Sequence, residues 1–336
     1  MGVRAAAAVL LLTLACSRPA TPPEPAAPAG PELRLEGGLV RRDLRFECTD
    51  AVCAAWLYAP AESGSPAPAV VMGHGFAGTR DVGLPAFAEA CARRGVAAVV
   101  FDYRGFGASG GSPRQLVDPW RQLEDWRSAV GWARAQPELD AGRIALLGAS
   151  LGAGHALLTA AGDPAVRAVV AVAPLVDTTR EGDATFPGVA WAVRLVVTGW
   201  IDLAALALGR GPVLIPAIAP SGGFGMIVDD AAHAAFERLV EPGSTYRNEV
   251  VAHSAFTFDD YDPSQRVAGI AAPILAIASR ADRFAPFAAV DALAEQARDV
   301  TVEIVPGDHF DVYATPVVER AAGAACAFLA ERLRAP

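Results

Sequence analysis

The chain has 336 residues, 53% of them hydrophobic and 19% charged, with a formal net charge of −9. That much apolar material suits one large domain or two small ones with a sizeable core. The acidic balance, with no block of Lys or Arg, argues against nucleic acid as a partner and identifies no substrate.

The N-terminus carries the first signal. Met1-Gly2-Val3-Arg4 is positive, and Ala5 to Leu14 is an apolar run ending at Ala15-Cys16. The run is too short to span a bilayer and has the form of a secretory signal. Thr13-Leu14-Ala15-Cys16 resembles a bacterial lipobox, although the usual Leu three places before the Cys is Thr13 here. The resemblance implies a signal over residues 1–15 and a lipidated Cys16. Ser17, which is not Asp, then suits an outer-membrane or periplasmic lipoprotein. The alternative is an ordinary signal peptide with Cys16 incidental. Residues 16–38 are rich in Pro and Ala and read as a stiff, extended tether ahead of a domain over 39–334.

Leu39 to Pro60 reads as an antiparallel hairpin. Cys48 and Cys53 flank its turn, at a spacing that could bridge in an oxidising compartment. The same spacing is half of a metal site, but no second pair completes it. Ala69 to Met72 is a strand buried on both faces. It runs into Gly73-His74-Gly75-Phe76 and then a helix over Leu84 to Arg94. Val96 to Phe101 is the next buried strand, ending in Asp102-Tyr103-Arg104-Gly105-Phe106-Gly107. Leu116, Trp120, Leu123, Trp126 and Val130 recur at helical spacing, so the Trp stripe reads as core. Cys91 and Cys326 sit in helix-like segments and read as buried core residues.

Ile144 to Leu147 reads as a strand and Leu151 onward as a helix. Between them stands Gly148-Ala149-Ser150-Leu151-Gly152. A strand-to-helix turn this tight exposes the Ser hydroxyl, and its crowded flanks require Gly at 148 and 152. Arg167 to Val172, Pro273 to Ala278 and Val300 to Val305 are further strands, and Val317 to Leu333 is a closing helix. Alternation of strands and helices predicts a mostly parallel twisted sheet covered on both faces. Residues 174–263 break the rhythm and read as an inserted cap. Within it, Val189 to Leu208 is apolar, but Arg194 and Asp202 argue against a membrane span, and Ser221 to Gly225 reads as a cap loop rather than a phosphate loop.

A serine nucleophile needs a base, a group orienting that base, and donors for the oxyanion. His309 follows the last strand, where a parallel sheet presents its site, whereas His155 points away along a helix and His233 and His253 lie in the insert. Asp282 follows the preceding strand and is favoured as the acid; Asp177 is second, with Asp308 and Asp311 as rivals. The N–H groups of Leu151 and Phe76 are the candidate oxyanion donors, with His74 bracing the Phe76 loop.

The Gly73-His74-Gly75-Phe76, Asp102-to-Gly107, Gly148-to-Gly152, Asp282 with Pro286, and Gly307-Asp308-His309-Phe310 segments together resemble the α/β-hydrolase superfamily. The likeness covers residues 40–330 outside the insert. It is nearest to bacterial serine esterases and acyl hydrolases, which share features with the S15 peptidase-like branch. It implies a Ser150, Asp282, His309 triad, an acyl-enzyme, a small-molecule ester or acyl substrate, and no cofactor. A peptidase, amidase or thioesterase uses the same triad, and a non-catalytic binding protein on this scaffold is the remaining alternative.

Overall fold

The computed structural model describes residues 32–61, 66–176 and 187–334. Cys16 and Asp177 lie outside them. The chain opens on β1 (Glu32–Leu35), β2 (Leu39–Cys48) and β3 (Ala51–Pro60). Then come β4 (Ala67–Gly73), α1 (Pro85–Ala92), β5 (Ala97–Phe101), α2 (Pro119–Ala135), β6 (Leu139–Ala149), α3 (Leu151–Gly162) and β7 (Val169–Val172). The insert holds α4 (Val189–Ala207), β8 (Leu214–Ile215), β9 (Ile218–Ala219), β10 (Ile227–Val228), α5 (Asp230–Leu239) and β11 (Val250–Val251). The core resumes with β12 (Ile274–Ala278), α6 (Phe287–Gln296), β13 (Val300–Ile304) and α7 (Val317–Arg332).

Nine strands form one sheet in the order β1-β2-β3-β5-β4-β6-β7-β12-β13. The first four are joined antiparallel, and β5 through β13 run parallel. Period-2 alternation splits the central strands between two cores. Ala69 and Val71 of β4 pack with residues of α2, α3 and α6, whereas Val70 and Met72 pack with those of α1 and α7. Both faces are covered, so β4, β5 and β7 read as unbroken apolar runs.

Three expectations need correction. The tether does not extend to residue 38, because Glu32 to Leu35 pair antiparallel with β2 through Leu35↔Leu39. Four residues following a Pro-rich stretch are too few for a pattern to show. The Trp stripe is not all core. Trp126 is fully buried and donates to the Tyr103 hydroxyl at 2.9 Å, but Trp120 is 45% exposed and donates to the Asp259 carbonyl at 3.3 Å. Cys91 and Cys326 are buried, as expected, but they are also joined in a disulfide that ties α1 to α7. Cys48 and Cys53 are joined across the β2–β3 turn.

The insert stands on the core through the loop before α2. Gln115 donates to the Glu249 carbonyl at 2.8 Å, and the Val117 N–H donates to Ser254 Oγ at 3.1 Å. A second footing is Asp81, whose carboxylate accepts from the Thr245 N–H at 2.7 Å.

The Cys91–Cys326 bond closes a loop of 235 residues. In the chain-entropy view so long a loop is strongly stabilised by its cross-link. Cys91→Ala/Cys326→Ala should lower unfolding free energy by about 2–4 kcal/mol in urea titration. An unchanged midpoint, or free thiols at both positions in the non-reduced wild type, would refute the cross-link.

Candidate active site

The site grows from the end of β6. Ser150 sits between strand and helix with φ 53° and ψ −117°, a conformation that L-residues adopt only when their surroundings impose it. Three constraints impose it here. The Ser150 N–H donates to the Val172 carbonyl at 2.8 Å. A Cβ on Gly148 would stand 2.0 Å from the Gly152 carbonyl oxygen, and one on Gly152 would stand 2.4 Å from the His74 carbonyl oxygen. Glycine at both positions therefore lets β6, α3 and the loop after β4 close on one another.

The Ser150 hydroxyl is 3.0 Å from His309 Nε2. His309 Nδ1 is 2.7 Å from Asp282 Oδ2. The other carboxylate oxygen of Asp282 accepts from the Phe284 and Ala285 N–H groups at 2.9 and 2.7 Å. Both side chains are shielded, His309 being 4% and Asp282 7% exposed. A carboxylate held from both sides orients the imidazole and fixes which nitrogen faces the serine. The order Ser, Asp, His along the chain is that of a nucleophile elbow with its acid and base after later strands.

The rivals for the acid lie elsewhere. Asp308 accepts from Arg283 Nε at 2.7 Å and from the His309 N–H, also at 2.7 Å. Asp311 accepts from the Asp308 N–H at 2.7 Å. The other histidines have different partners. His155 is buried between Gln122 and Tyr261, at 2.9 and 2.8 Å. His253 Nδ1 is 2.6 Å from buried Asp202, and His233 is 3.5 Å from Glu237.

Leu151 is the first residue of α3, so its N–H has no acceptor within the helix. Phe76 is half-buried in the loop after β4, and a Cβ on its neighbour Gly75 would be 3.0 Å from Ser150 Cβ. That loop is braced from behind. His74 Nδ1 is 3.0 Å from the Gly75 carbonyl, and its ring meets Tyr103 edge-on at 4.4 Å. Asp102, fully buried, accepts from the Arg80 N–H at 2.7 Å and from the Ala108 N–H at 3.0 Å.

Sequence reasoning missed three ties between these loops. The Ser279 hydroxyl donates to the Gly307 carbonyl, joining the Asp282 loop to the His309 loop. Arg283 donates to Asp308 and, at 2.8 Å, to Asp229 of the insert. The Tyr313 hydroxyl donates to the Val172 carbonyl at 3.4 Å. No spacing signals such pairs, because their members come from different strand-end loops.

Ser150 and His309 open on a cavity of about 450 Å³. Its walls are largely apolar, and the insert supplies Trp191, Leu195, Met226, Phe236 and Phe258. A parallel sheet, an elbow serine and a roofed cavity at the strand ends define an α/β hydrolase. The profile of the X-Pro dipeptidyl-peptidase (S15) family matches residues 51–311, and the chain belongs to that family. It is 34% identical over 278 residues to the quorum-quenching protein AidA of Acinetobacter baumannii, spanning 83% of this chain and 90% of that protein. It is 32% identical over 207 residues to the polyketide transferase GrgF of a Penicillium species, spanning 61% of this chain and 67% of that protein. The crystal structure of GrgF superposes with a TM-score of 0.74 at 26% identity, covering 87% of this chain and 99% of that one.

Burial lowers the His155 imidazole to about 3 and that of His74 to about 4, so both are neutral in the folded chain at moderately acid pH. In the unfolded chain histidine takes up a proton near pH 6.5. Below that pH the unfolded state binds more protons, so stability falls as pH drops from about 6.5 towards the folded values. Each of these histidines should cost about 2 kcal/mol between pH 7 and pH 5. In urea titrations at the two pH values, His155→Gln should lose less stability than wild type by about that amount. Equal losses would refute the assignment.

Proposed function

We propose that the chain is a serine hydrolase that cleaves a carboxylic ester through an acyl-enzyme on Ser150. The observation that carries this reading is the unbroken hydrogen-bond chain from Ser150 through His309 to Asp282 at the wall of an apolar cavity. As Ser150 Oγ attacks the ester carbonyl carbon, His309 Nε2 takes the hydroxyl proton and Asp282 stabilises the imidazolium. The carbonyl oxygen becomes an oxyanion and is received by the N–H groups of Phe76 and Leu151. Collapse breaks the bond to the leaving alcohol, which receives the proton from His309. Water then attacks the acyl carbon, giving its proton to His309, and the acid leaves as Ser150 regains its hydrogen.

Related reactions differ in the leaving group and acceptor. A peptidase reading draws on the family's description and on Asp259, the one carboxylate lining the cavity among the described residues, which is placed to receive a substrate ammonium. The AidA likeness suggests a quorum signal as substrate, and the GrgF likeness suggests an acceptor other than water. Ser150→Ala should lower kcat/KM on p-nitrophenyl acyl esters by roughly 10⁴-fold or more, and Asp282→Asn by about 10⁴-fold, with Tm preserved. Wild-type activity in Ser150→Ala would overturn the reading. A panel of p-nitrophenyl esters, acyl thioesters and X-Pro p-nitroanilides separates ester cleavage from its alternatives, and dominant cleavage of the anilide would replace the esterase reading with the peptidase one.

We also propose that the chain is exported and held at the cell envelope by a lipid on Cys16. The apolar run before Cys16 and the two disulfides support an oxidising compartment. Cells grown with radiolabelled palmitate should label the wild-type chain and not Cys16→Ser; equal labelling of the two would refute the anchor.

A further inference from the structure

Helix α4 has two faces of opposite use. Trp191, Leu195, Gly199 and Asp202 recur at intervals of three and four and turn inward. Trp191 and Leu195 line the cavity. Gly199 sits so close to the segment below that a Cβ there would meet the Phe256 ring at 2.6 Å. Asp202, fully buried, accepts from the Val213 N–H at 2.8 Å and lies 2.6 Å from His253 Nδ1. The other face is bare. Val189, Val193, Val196, Val197, Trp200 and Ile201 are between 46% and 72% exposed, and Leu208 follows the helix at 72%. At 100° per residue, the six helical positions fall within an arc of roughly 140°. A soluble protein rarely leaves so large an apolar stripe open without a partner for it.

We propose that this outward face docks on a lipid surface, with α4 lying in the plane of the interface. The helix is long and apolar enough to cross a bilayer, and little of it is buried within the protein. Crossing would carry Asp202 into hydrocarbon and strip it from Val213 and His253. Lying flat keeps those bonds and immerses the stripe alone. The composition suits an interface: aliphatic residues around Trp200, with no acid on the exposed stripe. Arg194 sits at its margin with the guanidinium 4.0 Å from the Phe224 ring centroid, and Arg210 follows the helix. With a formal net charge of −9 the chain as a whole is not drawn to anionic headgroups, so apolar immersion drives the contact. The stripe is also continuous with the site, since the reverse of the same helix forms cavity wall. A lipid on Cys16 would favour the docking. The docking itself stands without that anchor.

The test uses the full chain carrying Cys16→Ser, so that anchoring and docking are read separately. Phosphatidylcholine vesicles with and without bromine on the acyl chains are added, and Trp emission is recorded. Brominated lipid should reduce the Trp200 contribution roughly twofold. That contribution is the difference between the Cys16→Ser chain and its Trp200→Phe derivative. Val193→Glu/Val197→Glu should abolish the quenching while hydrolysis of a soluble ester is kept, which shows the variant is folded. Absence of Trp200 quenching overturns the proposal, whether the chain stays free or sediments with vesicles. Sedimentation velocity resolves the remaining case: a dimer that Val193→Glu/Val197→Glu dissociates, with no quenching, assigns the stripe to a second copy.

Discussion

Three stretches of backbone meet at Gly152, and no side chain fits between them. The carbonyl oxygens of Gly73 and His74 would lie 2.6 and 2.4 Å from any Cβ placed there. This approach holds the loop after β4 against the start of α3. It also stands Ser150 upright at the tip of the sheet and places the Phe76 segment beside it. The β4–β6 pairing extends to Gly73↔Gly148, the last residue of β4 and the last but one of β6. The position of Ser150 therefore follows from main-chain geometry, before any side chain of the site is considered.

Asp282 and His309 inherit their places from the same sheet. β12 and β13 run parallel to β6 and end on the same edge, so their following loops converge over the serine. Short polar ties then remove the remaining freedom. Ser279 joins the two loops, and the N–H groups of Phe284 and Ala285 hold the Asp282 carboxylate against His309. Arg283 joins both loops to the insert through Asp229 and Asp308, so roof and base share a fastening. Because Arg283 is partly exposed, this fastening works more by geometry than by electrostatic energy.

How much of this was legible follows from range. Buried parallel strands announce themselves as apolar runs, because both faces are covered and composition alone carries the signal. Residues at strand ends, such as Ser150, Asp282 and His309, could be singled out because a parallel sheet sends its loops to one edge. Glycines 148 and 152 were readable because their need is local. What escaped depends on contacts between distant segments. β1 is four residues whose partner is decided by the sheet edge rather than by its own pattern. Trp120 shares a helical stripe with Trp126 but lies where the helix leaves the core. The insert was visible as a break in rhythm, yet its short strands and their footing on Gln115 and Asp81 follow no period.

The Cys91–Cys326 bond has a consequence for how the chain is made. Cys326 follows Cys91 by 235 residues, so the second thiol is synthesised only after the rest of the sheet, the Asp282 and His309 loops and the whole insert. During that interval Cys91 lacks its native partner. The nearer Cys48–Cys53 pair can close first, which leaves Cys91 with one intramolecular partner still to come. The bond thus acts as a completion mark: an oxidised pair reports that the last helix has arrived on the first. A chain that ends early carries its own chemical flag of unfinished assembly.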